Sequence, residues 1–410
     1  MTIVNSNSLN GKSPTLRGKV ASLIVIADTF LWYLYAFNLL LGVVRTISAS
    51  YSEIITFLVI NFLAAAVFAL TGATLIDKVG RRIPLLLIWL IFGTTSSIVP
   101  MLIEISVVTN LSFMFFLFGA SFGFGMPISM GYFADSTSTE NRGLTGGVIF
   151  LTIGIGAFLI GTINFSEVNT QFAILTLLRI SGLIAFLILN PQENFPKNKS
   201  HSYIFILGQR SFLMYFVPWV MFCLVNQTSA RILYQFFGES FFTFLIATEI
   251  ALSGVFAVVS GFFCDRVGRK IVAIVGFVML GLGYAMLSIF PENIVSWYFY
   301  TCVDGVAWGI FYAVFFATIW GDLTHGSPSE KYYAIGGLPY LLSNFLRFIV
   351  GRYIAETFAI YTVFSLASFF LFLAVLPLMF APETLPEKHI KERELKIYIE
   401  KAKKIREKYA

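Results

Sequence analysis

Twelve apolar runs of 19 to 26 residues divide this chain of 410 residues, and their length limits what it can fold into. About 20 apolar residues rising ~1.5 Å each cross ~30 Å of hydrocarbon. Hydrocarbon offers no partner to a free backbone amide, so runs of this length must span as helices. The runs are Val20–Val43, Ile54–Leu75, Ile83–Ile103, Leu111–Phe133, Gly143–Asn164, Gln171–Leu189, Ser211–Ser229, Ser240–Phe263, Ile271–Phe290, Ile294–Ile319, Tyr332–Gly351 and Phe358–Phe380, numbered here as spans 1 to 12. Mean hydropathy of +0.82, and a charged fraction of 12% where soluble domains carry about a quarter, exclude a soluble protein.

The polar break 190–210, rich in Asn, Pro, Lys and Ser, splits the spans six and six. This predicts an all-α membrane protein of twelve transmembrane helices in two six-helix bundles: a tail over 1–19, bundles over 20–189 and 211–380, the central loop 190–210 between them, and a charged tail over 381–410. Of 28 Lys and Arg, only Arg45, Arg231 and Arg352 fall in the loops of one side, with Arg179 and Arg347 inside spans. That bias predicts both termini in the cytosol. The basic residues form no nucleic-acid face. The tail interleaves Glu and Lys, with Glu400 and Lys404 at i,i+4, which predicts a surface helix. The N-terminus shows no cleavable signal pattern. Cys223, Cys264 and Cys302 sit at unrelated spacings in or beside apolar runs, as core residues rather than disulfides or metal ligands.

Two knots of charge interrupt the apolar pattern. One is Asp77-Lys78-Val79-Gly80-Arg81-Arg82, and the other Asp265-Arg266-Val267-Gly268-Arg269-Lys270, with Asp77 and Asp265 188 positions apart. They follow spans 2 and 8, equivalent places in the two halves, and the repeated order points to an internal duplication. An Asp at a helix end can accept from amides at the start of a neighbouring helix while pairing with an Arg, and the Gly permits a tight turn. A second echo places Asp135, with Arg142 after it, at the end of span 4, and Asp322, with Glu330 and Lys331 after it, at the end of span 10.

The knots resemble the loop signature G-x-x-x-D-[RK]-x-G-R-[RK] of the major facilitator superfamily of secondary transporters. The second copy matches throughout, from Gly261 to Lys270; the first has Ala73 in place of its leading glycine. Pro382-Glu383-Thr384 and the acidic-then-basic endings of spans 4 and 10 are similar to sugar-porter-like members. The resemblance implies a cavity lined by spans 1, 4, 7 and 10, gated on the cytosolic face by the two knots.

Charges at bilayer depth are expensive and mark function. Asp28, Glu249 and Asp304 are the proton-coupling candidates. Asp28 is the first choice, because Ala27-Asp28-Thr29 is similar to the first-span Asp-Thr of proton-coupled sugar porters. The Arg those porters carry in span 4 is replaced by Phe115, and Arg179 of span 6 is one possible partner. Their span-5 glutamine is also missing, with Val148 and Phe150 nearby. Phe30 to Tyr35 partly resembles proton symporters for organic acids, with Leu at both acidic positions. Span 5 lacks the Gly-Pro pair of drug antiporters.

Trp32, Asn38, Asn226, Gln227, Trp308 and Tyr312 are the expected substrate-cavity residues. Gly119, Gly123, Gly125, Gly154 and Gly161 allow close helix approach. His201, His325 and His389 fall in loops or tails with no catalytic or metal cluster, which disfavours an enzyme and implies no cofactor. The expected function is secondary active transport of a small organic solute, a sugar or carboxylate-type metabolite, across the cell membrane, coupled to protons, by a monomer in the lipid bilayer. A facilitative uniporter, an exporter of apolar compounds and a transporter-derived sensor are the alternatives.

Overall fold

Among the described residues each expected run holds a helix in the computed structural model, which describes residues 16–162, 167–193, 199–226, 229–324 and 326–385. In the first half the helices are α1 (Leu16–Thr46), α2 (Tyr51–Val79), α3 (Ile83–Ile98), α4 (Val108–Ser136), α5 (Arg142–Thr162) and α6 (Val168–Leu189). The second half holds α7 (Arg210–Asn226), α8 (Ser229–Arg266), α9 (Arg269–Ile289), α10 (Ile294–Phe311), α11 (Glu330–Thr357) and α12 (Ile360–Phe380). A π-helical segment, Tyr312–Thr318, carries α10 on to Ile319–Asp322. Among the described residues, ten helices are long and apolar enough to cross a membrane by themselves. Of the other two, α7 is short at 17 residues, and α11 carries Glu330, Lys331, Arg347, Arg352 and Glu356 along its 28.

Local chemistry sets several helix ends. Ser50 and Glu53 form a reciprocal capping box at the start of α2, satisfying amides that a helix N-terminus leaves unpaired. Gly80, at φ +64°, ends the same helix in the left-handed region that glycine enters without steric cost. The α8 run is longer than its apolar core predicts and breaks at Gly238, where φ is +78°. The central loop, expected to be irregular, contains a short helix, Tyr203–Gly208.

The helices pack as two bundles, α2 on α4 and α1 on α4 and α6 in the first, α8 on α10 and α9 on α12 in the second. Small residues bring α2 and α4 together: a Cβ on Gly123 would stand 2.1 Å from the Ala65 carbonyl oxygen, so only hydrogen fits. Between the bundles α5 lies on α8 and α2 on α11. The α5–α8 seam is tightest at the end carrying the charge knots, called the motif face below. There a Cβ on Gly261 would meet the Gly143 carbonyl oxygen at 2.3 Å, whereas farther along a Cβ on Gly154 would have its nearest neighbours at 3.6 and 3.7 Å. The bundles are thus closed on the motif face.

Cys223 and Cys264 are buried as expected, but Cys302 is exposed, on an outward side of α10 where a small apolar side chain can face hydrocarbon. Gln227, His325, His389, 1–15 and 386–410 lie outside the described residues, as do the side chains of Arg231, Arg347 and Arg352 and any detail of Gly161 beyond its backbone.

Candidate functional site

The motif face carries a duplicated charge network. In the second copy, Asp265 accepts from the backbone amides of Gly143 (2.9 Å) and Leu144 (2.8 Å) at the start of α5, and pairs with Arg269 (3.2 Å). A carboxylate at a helix N-terminus meets both unpaired amides and the positive end of the helix dipole. The Arg269 Nε donates to Asp322 (3.0 Å), and Asp322 also pairs with Arg142 of the other bundle. Glu383, just beyond α12, accepts from the amides of Arg269 (2.9 Å) and Lys270 (3.2 Å). Gly268, at φ +121°, leaves the room that Glu383 occupies, since a Cβ there would stand 2.5 Å from its carboxylate.

The first copy is built from the same parts one residue out of register. Arg82, fully buried, pairs with Asp135 (2.7 Å) and with Glu330 of the other bundle, while its amide donates to Glu193 (2.7 Å). Burial works against the Arg82 charge, but Glu330 and Asp135 outweigh it and hold its pKa above the ordinary value. Matching the motif letter by letter makes Arg81 the equivalent of Arg269. The structure instead gives that place to Arg82 and leaves Arg81 exposed. The cause is the turn: two residues, Arg81 and Arg82, separate Gly80 from the start of α3 at Ile83, while Gly268 directly precedes α9. Asp77 takes a different partner, Lys331 of α11 at 2.6 Å, and is about a third exposed. Lys331 also donates to Ser200 of the central loop (2.9 Å).

Arg266 is exposed, its guanidinium over the Phe262 ring at 3.9 Å, and the Lys270 Nζ donates to the Met379 carbonyl (2.7 Å). A cavity of about 800 Å³ opens beside Asp135, Arg142, Asp322 and Glu383, so water reaches one flank of the network. Glu193 as a cap is a residue that sequence reasoning missed. Its signal is faint: Pro191-Gln192-Glu193 after span 6 against Pro382-Glu383 after span 12.

At mid-membrane depth the candidates separate into two places. Asp28 is bound to Arg179 of α6 through Oδ2 at 2.5 Å, and the guanidinium lies over the Trp89 (4.3 Å) and Trp32 (5.0 Å) rings. The Trp32 indole donates to Ser97 of α3 (2.7 Å). Asp28 and Trp32, four residues apart and so on one helix face, point into the first bundle among α1, α3 and α6 rather than toward the second bundle. Asn38 is exposed and donates to its own helix at Leu34.

The opposite side of α1 meets the other bundle through aromatic rings. Phe30 lies 6.2 Å from Phe316, and Phe150 stacks on Tyr312 at 4.7 Å. Phe150, which with Val148 lies near the place of the missing span-5 glutamine, thus stands at the seam between the bundles. Behind Tyr312, α10 presents Tyr300, Asp304 and Trp308 at successive i,i+4 positions. The Asn226 amide, at the end of α7, sits with its nitrogen 3.1 Å from Asp304 Oδ1 and its oxygen 2.9 Å from Trp308 Nε1. Tyr300 and Tyr284, which the sequence did not single out, complete this cluster. The Glu249 backbone carbonyl lies against Gly305, where a Cβ would be 3.1 Å away.

Two bundles of six membrane-spanning helices, joined across a mid-membrane aromatic seam and latched on one face by paired charges, define a multi-pass transporter fold. The sequence profile of the Major Facilitator Superfamily matches residues 21–233 and 201–407, and the chain belongs to that superfamily. No curated protein matches it by sequence. Among solved structures it is similar to the proton:xylose symporter XylE bound to 6-bromo-6-deoxy-D-glucose, with a TM-score of 0.71 and 14% identity over 90% of this chain and 96% of that one. The human organic anion transporter MFSD10 (TETRAN) gives a TM-score of 0.66 and 17% identity, over 88% and 99% of the two chains. A variant of the E. coli fucose:proton symporter FucP gives 0.68 and 10%, over 88% and 98%. Likeness at these identities establishes the shared fold.

Proposed function

We propose that the protein moves a small organic solute bearing hydroxyl or carboxyl groups, a sugar or carboxylate-type metabolite, across the cell membrane by alternating access coupled to protons. In this reading the motif face is cytosolic, both termini lie inside, and the protein works as a monomer. Rocking of the two bundles about a mid-membrane site exposes that site to one side at a time. The observation that carries the reading is the polar cluster of Asn226, Asp304 and Trp308, buried beside the aromatic seam where the bundles meet. Its neutral donors and its carboxyl can hydrogen-bond hydroxyl or carboxyl groups, and rings such as Tyr312 can pack against the carbon skeleton. The motif-face ion pairs Arg82–Glu330 and Arg142–Asp322 join the bundles and supply a closed state to break. The sugar and organic-anion substrates named for XylE, FucP and MFSD10 support the substrate class.

Reconstituted protein is tested for uptake of radiolabelled xylose, fucose, glucose and lactate with and without an inward proton gradient. Accumulation above equilibrium only with the gradient is expected. Uptake of none of these solutes, against active control liposomes, counts against the substrate class. The Asp28–Arg179 pair favours a second reading, facilitative transport, because it leaves the first-choice carboxylate neutralised within its own bundle. Uptake that equilibrates and ignores the gradient identifies that case.

A further inference from the structure

Counting hydrogens around Asp304 separates the two mid-membrane carboxyls. Three oxygen–oxygen contacts run in series: Asp304 Oδ2 to the Tyr300 hydroxyl at 3.0 Å, Tyr300 to the Tyr284 hydroxyl at 3.2 Å, and Tyr284 to the Asn226 backbone carbonyl at 3.3 Å. Each hydrogen bond needs one hydrogen, and each phenol has one. A carbonyl cannot donate, so Tyr284 gives its hydrogen to Asn226. The hydrogen between the two phenols must then come from Tyr300. None remains for the contact between Tyr300 and Asp304 unless the carboxyl itself supplies it. The other carboxyl oxygen, Oδ1, accepts from the Asn226 amide nitrogen at 3.1 Å, as the carbonyl half of a carboxylic acid does.

The surroundings agree. Asp304 is buried, and among the described residues its hydrogen-bond partners, Tyr300 and Asn226, are neutral. The groups facing it are Asn226 of α7, Glu249 of α8, Tyr284 of α9, and Tyr300 and Trp308 of its own helix. Of these Glu249 is the one other carboxyl, and two neighbouring carboxyls oppose each other's ionisation. Asp28 is buried as well, but a guanidinium balances its charge.

We infer that Asp304 carries the transported proton: it is a carboxylic acid in the motif-face-closed state and gives up its proton to water in another state of the cycle. The inference rests on the proton coupling proposed above and names the group responsible. When Asp304 loses its proton, two phenolic hydrogens must serve three contacts and one contact opens. The contact at the far end of the series is the carbonyl of Asn226, the last residue of α7, which has no partner within its own helix. Protonation therefore sets how firmly the end of α7 is held to α9 and α10, and a proton drives transport only by such a difference between states.

Infrared difference spectroscopy of the purified full-length protein over a pH titration reads the acid without any solute. A protonated-carboxyl C=O band is expected that disappears in Asp304→Asn, shifts in Tyr300→Phe, where the acid loses its acceptor, and persists in Asp28→Asn. In liposomes loaded with the solutes named above, Asp304→Asn should lose gradient-driven accumulation together with the proton movement that accompanies solute entry. Survival of the band in Asp304→Asn, or its loss in Asp28→Asn instead, overturns the assignment. Equal gradient-driven accumulation by wild type and Asp304→Asn also overturns it while leaving proton coupling intact. Wild-type uptake indifferent to the gradient removes the coupling reading itself, and with it the transported role.

Discussion

The two motif copies share nearly the same letters and close the same face of the protein by different means. In the second, Asp265 is buried against the first turn of α5, and its partners are mostly backbone: two amides, with Arg269 behind them. In the first, Asp77 is about a third exposed and reaches the single side chain of Lys331, and the work of joining buried charges passes to Arg82. A carboxylate held by fixed amides in a dry seam loses little entropy on binding and is poorly screened. A pair whose carboxylate stands partly in solvent is better screened and is worth less. Duplication thus preserved the arrangement of helices more faithfully than the division of labour among residues.

The largest effect that tests this contrast is at the displaced arginine. Arg82→Ala leaves the buried Glu330 and the partly exposed Asp135 without their cation, which should cost about 3–5 kcal/mol of stability. Arg81→Ala, at the position the motif letters favour, should cost less than about 0.5 kcal/mol. Thermal unfolding in detergent decides between the two registers, and equal losses would restore the letter-by-letter equivalence.

Next comes the seam itself. Gly261→Val forces a side chain against the Gly143 carbonyl and should destabilise the closed motif face by about 1–3 kcal/mol, raising access from that side. Labelling of a Thr324→Cys reporter, which lines the motif-face cavity, in a background lacking Cys223, Cys264 and Cys302, measures this directly. Unchanged labelling would show that α5 and α8 separate elsewhere.

The smallest expected effect is the difference between the aspartates. Asp265→Asn loses a charge-assisted contact to two amides and Arg269, whereas Asp77→Asn loses a single pair whose carboxylate is about a third exposed. The reporter should label several-fold faster in the Asp265 variant, from a difference of about 1 kcal/mol. Equal rates would mean that the two latches contribute alike.

Much of this architecture is legible in the sequence, because span length and charge bias are one-dimensional signals. Helices stand where the twelve runs predict them, and the two knots fall between the helices expected to flank them. What a residue faces is harder to read. In a soluble helix the polar side identifies the buried one, but in lipid both the outside and the core are apolar, so Asp28 and Trp32 give no sign that they turn into their own bundle. Arg179, one candidate partner in the sequence, is joined to Asp28 across 151 positions, and only the rotation of α1 and α6 selects that pair. Tyr284 and Tyr300 were invisible for a related reason. They are two tyrosines among 18, and their hydroxyls matter only because two helices bring them within 3.2 Å.

The two capping glutamates carry a practical meaning for anyone shortening this protein. Glu383 lies three residues past the end of α12, and Glu193 four past the end of α6. A chain cut at Phe380 would keep every membrane helix yet leave the first amides of α9 without their acceptor, next to the buried Arg269. Fusion tags and split-protein junctions therefore belong after Leu385, and a break in the central loop belongs after Glu193, because each bundle is fastened by residues that hydropathy alone would trim away.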